Sequence, residues 1–119
     1  MAGELIPLVL LPRYTAYAGA ADFTTIGMEV SDYSKAIVNC WRGPIIGTAG
    51  TFAVVFEEST DQLTWSTCTS GSGGDPGLNT EAQYKPELNK RWFRIKVTVG
   101  GTNAAVNCWA IGYLERRES

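Results

Sequence analysis

The chain has 119 residues, 45% hydrophobic and 18% charged, with a net charge of −2. That balance fits one domain with its own core and excludes a disordered chain. Ten basic residues are offset by 12 acidic ones and there is no histidine. The chain therefore lacks the basic stripe of a nucleic-acid binder, the commonest general base and the commonest zinc ligand.

The first element is apolar and punctuated by proline. In "LIPLVLLPRY", Pro7 and Pro12 each delete a ladder donor, so Ile6–Tyr14 reads as an edge strand or an extended arm. The apolar run is too short to span a bilayer and has no basic flank, so neither a membrane span nor a signal peptide is expected. Residues 1–20 form this arm or edge strand, and residues 21–119 form a single domain. Leu5, Ile6, Leu8, Val9, Leu10, Leu11 and Tyr14 are its candidate partner-binding residues, because an exposed apolar arm is stabilised by lying on a neighbouring subunit.

Further strands follow at Thr25–Val30, Lys35–Trp41, Thr51–Glu58, Leu63–Cys68, Thr80–Pro86, Arg91–Val99 and Ala104–Glu115. Gly43-Pro44 reads as a turn, and Gly100–Asn103 reads as the turn of a long hairpin. The Gly/Ser-rich run Thr69–Asn79 reads as a mobile projecting loop. Only "DPGLNTEAQYKPELNKR" offers room for a helical turn. Alternation puts Phe52, Val54 and Phe56 on one face, with Phe93, Ile95, Val97 and Val99 likewise aligned. Trp92, Arg94, Lys96 and Thr98 face the other, wetter side. The pattern predicts an all-β, antiparallel β-sandwich of jelly-roll type.

Candidate chemistry is sparse. Glu57 and Glu58 are strand neighbours and point to opposite faces, while Asp61 sits in a Ser59–Gln62 turn whose side chains cap their own backbone. A calcium loop or a glycosidase carboxylate pair needs more convergence than this. Gly71, Gly73 and Gly74 are followed by no amphipathic helix, so no phosphate loop is read there. Cys40, Cys68 and Cys108 are far apart, with no CxxC pair, and are expected as free, buried thiols. No enzyme activity, cofactor or metal is predicted. Trp41, Trp92 and Trp109 are candidate surface aromatics that would suit a glycan, although strand tryptophans also fill cores and interfaces.

The run "FEESTDQLTWSTC" carries a pattern, Phe56, Glu58, Ser59, Asp61 and Trp65, followed later by Arg91, Trp92, Arg94 and Ile95 in "RWFRIKV". Over roughly 52–114 this resembles small β-sandwich structural proteins of tailed bacteriophages. The resemblance implies a virion component, a head decoration (cement) protein that binds a shell of phage major capsid protein and stabilises it. It also implies a homo-oligomer, trimeric by preference, assembled in the host cytoplasm and resident on the capsid surface. The alternative is a carbohydrate-binding or adhesion module of a phage head fibre. Neither nucleic acid nor membrane is an expected partner.

Overall fold

The computed structural model describes residues 4–13, 16–18 and 21–117. Its elements are β1 (Leu5–Leu11), β2 (Ala16–Ala18), β3 (Ala21–Thr24), β4 (Met28–Glu29), β5 (Tyr33–Ser59), β6 (Ser66–Gly74), β7 (Thr80–Tyr84) and β8 (Trp92–Arg116). The fold is all-β and antiparallel, with no helix among the described residues.

Two strands organise everything else. β5 has 27 residues and β8 has 25, and they pair from Tyr33↔Arg116 to Ser59↔Trp92. A strand of that length would span about 90 Å if straight. The longest dimension of the molecule is 50 Å, so the ribbon must bend back over itself. The bend lies where the register slips, between Arg42 and Ile45 and again between Ile46 and Thr51. Gly47 and Gly101 both have φ of +116° there, a conformation that glycine reaches without steric cost. The residues read from sequence as a turn, Gly43-Pro44, and as a hairpin turn, Gly100–Asn103, thus bend two continuous strands instead of ending four short ones.

Bending makes two layers. The first is β1, the C-terminal half of β8, the N-terminal half of β5, and β7. The second is β3 and β4, the other half of β8, the other half of β5, and β6. The sandwich is therefore one curled sheet. Of the jelly-roll likeness, the antiparallel two-layered curl is what the structure carries. The shortest dimension, 20 Å, fits two layers about 10 Å apart.

The expected alternation holds. Phe52, Val54, Phe56, Phe93, Ile95, Val97 and Val99 are all buried between the layers. Phe56 stacks on Phe93 at 6.1 Å and meets Tyr84 of the opposite layer at 5.8 Å. Each such ring contributes about 2–3 kcal/mol through burial. All three cysteines are free and buried. Burial pushes the Cys40 and Cys68 thiols up to about 12 and Cys108 to about 11.

Three expectations need correction. The Gly/Ser run is mostly strand, since β6 continues to Gly74; only residues after it form a loop, pinned by the Arg42–Asp75 pair at 2.7 Å. The segment considered for a helical turn holds β7 instead, because Thr80–Tyr84 is hydrogen-bonded to the free edge of β5. Trp65 lies just before β6, not in it, with its indole N–H donated to the Gln62 carbonyl at 3.2 Å.

Candidate interaction face

β1 is a strand of the chain's own sheet. It pairs with β8 from Leu5↔Glu115 to Leu11↔Ala110, with a bulge at Leu10. Leu8, Leu10 and Leu11 are buried in the shared core, so they are not free to contact another molecule. The bulge explains why neighbours Leu10 and Leu11 both reach inward: it shifts the two-residue period by one. Leu5 and Val9 face outward at 49% and 60% exposure, and Ile6 is half-buried. Tyr14 lies outside the described residues.

Leu5 and Val9 belong to a larger surface. The alternation that buries Ala36, Val38 and Cys40 on β5 turns Lys35, Ile37, Asn39 and Trp41 outward. On β8 it buries Cys108, Ala110 and Leu114 and turns out Trp109, Ile111, Tyr113 and Glu115. Register then fixes the rows across the first layer. Pro7, Tyr113 and Ile37 share one row; Val9, Ile111, Asn39 and Gln83 share the next. Trp109, Trp41 and Glu81 form a third. Tyr113 is 48% exposed.

The third row holds the densest chemistry. The Trp41 and Trp109 rings lie 6.3 Å apart and 14° from parallel. The Arg13 guanidinium sits over Trp109 at 4.5 Å, a favourable cation–π geometry. Arg13, Asn107 and the two tryptophans line a cleft of about 210 Å³. A second hollow of about 400 Å³ runs alongside, between Pro7, Val9, Asn39 and Tyr113.

Trp92 is elsewhere. It projects from the outer face of the second layer, under Arg91 at 5.3 Å. That face is ionic. Arg94 pairs with Glu57 at 2.8 Å and covers Trp65 at 4.1 Å, and Lys96 meets Asp22 at 3.5 Å. The structure thus brings Trp41 and Trp109 together and separates them from Trp92.

The acidic corner is a turn. Asp61 accepts from the Leu63 and Thr64 amides at 2.8 and 3.0 Å, and Ser59 Oγ accepts from the Gln62 amide at 2.8 Å. The Thr64 and Leu63 amides hold the Asp61 carboxyl below the usual range. Glu58 is buried and caps the Asn89 amide at 2.9 Å, while Glu57 points to the opposite face. Among the described residues no three metal-ligating side chains converge.

Sequence reasoning singled out Trp41, Trp109, Leu5 and Val9 on this face, but not Ile37, Ile111, Tyr113, Arg13 or Glu81. The available signal was that Ala104–Glu115 is apolar in both phases of its alternation, which marks a strand apolar on both faces. No protein-family model and no curated protein matches the chain.

Proposed function

We propose that this chain is a structural assembly protein that works by burying the outer face of its first layer against another protein surface. Within that class, the reading that accords with the hairpin resemblance is a decoration protein on a phage head, bound to a shell of major capsid protein. One observation carries the proposal. Among the described residues no strand lies over the apolar and aromatic face that runs from Val9 through Ile111 and Tyr113 to Trp41, on which Val9 and Tyr113 are exposed and Ile111 and Trp41 half-buried. Large exposed apolar patches mark interaction sites, and Trp, Tyr and Arg are the residues that dominate interface energetics. Burial at about 25 cal/mol per Å² supplies the attraction, and repetition on a symmetric shell multiplies weak contacts into avidity.

The alternative, a carbohydrate-binding module, draws on the same Trp41–Trp109 pair. Against it, Arg13 covers one face of Trp109, where a sugar ring would stack.

Co-sedimentation of the full chain with empty tailed-phage heads, beside a glycan titration followed by tryptophan fluorescence, tests the proposal. Saturable head binding lost in Tyr113→Glu supports it. Glycan binding without head binding overturns it.

A further inference from the structure

The apolar face carries charges at its margins, and their order is informative. Along the third row, Arg13, two residues past the end of β1, reaches over Trp109, and Glu81 stands beside Trp41 on the β7 side. Neither Arg13 nor Glu81 has an ion-pair partner among the described residues. Among the other cations Lys35, Arg42, Arg94, Lys96 and Arg116 each meet a carboxylate. A second charged row lies at the far end of the face, where Glu115 on β8 is the register partner of Lys35 on β5 and already meets it at 3.6 Å within the chain. In that row the acid is on the β8 side and the base is on the β5 side.

A closed pair of identical faces obeys one rule: if i meets j, then j meets i. For two sheets stacked face to face, the two-fold axis lies in the plane of contact. An axis parallel to the strands, running between β5 and β8, exchanges the two sides of every row. It sets Arg13 of one copy over Glu81 of the other, and Glu81 over Arg13. It also sets Glu115 over Lys35 and Lys35 over Glu115. An axis across the strands that followed the third row would instead set Arg13 over Arg13 and Glu81 over Glu81. The same parallel axis lays Tyr113 over Ile37 of the second copy, and it keeps the strands of both sheets aligned, a normal packing for stacked sheets.

We infer that the occupant of this face is a second copy of the chain, docked about a two-fold axis parallel to β5 and β8, with the Arg13–Glu81 contacts made twice. The inference rests on the proposed function in taking the face as an interface and names a second copy as the protein surface that covers it; it replaces the three-fold association that the hairpin resemblance implies, and the shell meets the dimer on its remaining surface, so that Tyr113→Glu costs head binding by dissolving the dimer. Two charges of opposite sign, without an ion-pair partner among the described residues and on the two sides of one apolar row, are what a self-complementary contact requires.

Sedimentation velocity of the full chain over a range of concentrations, at low salt, tests it. A concentration-dependent dimer is expected. Arg13→Glu and Glu81→Arg, each confirmed as folded by circular dichroism, weaken it about tenfold, because each places two like-charge contacts in the interface. The double variant Arg13→Glu/Glu81→Arg restores association to near that of the parent chain. A monomer at every concentration overturns the inference, as does a dimer or trimer indifferent to both reversals or a double variant no better than the singles. Head binding by a strict monomer would sink the inference and leave the proposed function standing; a rescued dimer without head binding would do the reverse.

Discussion

The two outer faces of the curled sheet are made by the same two strands and differ in kind. On the second layer β8 turns out Arg94 and Lys96, and both are neutralised inside the chain, by Glu57 and Asp22. On the first layer it turns out Trp109, Ile111 and Tyr113, half-buried to exposed, over which no strand of the described residues lies. One face is finished by its own ion pairs, and the other is finished only by something else. The strand period decides which residues point outward; the residue types alone decide whether that side is complete.

The largest test of the comparison concerns whether β1 is part of the first layer or an appendage to it. Removing residues 1–12 deletes three buried leucines, each worth about 1.5–3 kcal/mol. The total approaches the whole stability of a typical domain, about 5–15 kcal/mol. The truncated chain is expected to lose its cooperative thermal transition by circular dichroism. A truncated chain that melts as before would return β1 to the status of an arm.

Next in size is Gly112, beneath the uncovered face. A Cβ there collides with the Ile37 carbonyl oxygen of the neighbouring strand. Backbone cannot yield as a flexible side chain can, so Gly112→Ala is expected to cost about 3 kcal/mol, read as a lowered urea midpoint. A change under about 0.5 kcal/mol would mean that the β5–β8 ribbon relaxes there at little cost.

A matched pair of surface changes then separates the faces directly. Arg94→Met leaves the partly buried Glu57 without its partner and uncovers Trp65. About 1–2 kcal/mol of stability should be lost. Tyr113→Ser removes a ring that is 48% exposed on the outer face, and stability should move by no more than about 0.5 kcal/mol. Association should respond in the opposite order, falling with Tyr113→Ser and holding with Arg94→Met. Equal effects of the two substitutions on both readouts would erase the distinction between the faces.

Much of this was legible in the sequence, for a physical reason. The period of two in Phe52–Phe56 and Phe93–Val99 has one solution on a pleated strand, and those residues are the core. The turn chemistry of Ser59 and Asp61 is local, so it too could be read from the residues alone. The bend could not. Glycine and asparagine near Gly47 and Gly101 permit positive φ, but positive φ serves a hairpin turn and a bulge equally well. Only the pairing of both strands with each other, a long-range property, tells the two apart. The interaction face was hidden by the same gap. Arg13, Trp109, Trp41 and Glu81 are scattered along the chain, and nothing short of the β1–β8–β5–β7 order makes them one row.

The smallest expected effect lies away from both faces, at the acidic corner. Asp61 is held below the ordinary carboxylate range by the Thr64 and Leu63 amides and the Ser59 hydroxyl. A carboxyl whose folded pKa is depressed stabilises the fold above its unfolded value of about 3.9, and that contribution is lost as pH falls through the folded value. Asp61→Asn keeps an acceptor for the two amides but cannot titrate. It should therefore be slightly less stable than the parent at neutral pH, converge with it in acid, and show a flatter acid limb below about pH 3.9, followed by urea midpoint against pH. A parent and variant with parallel acid limbs would show that Asp61 bonds the same amides in the unfolded chain. The loop would then be a locally formed turn that the fold inherits, not one that it holds in place.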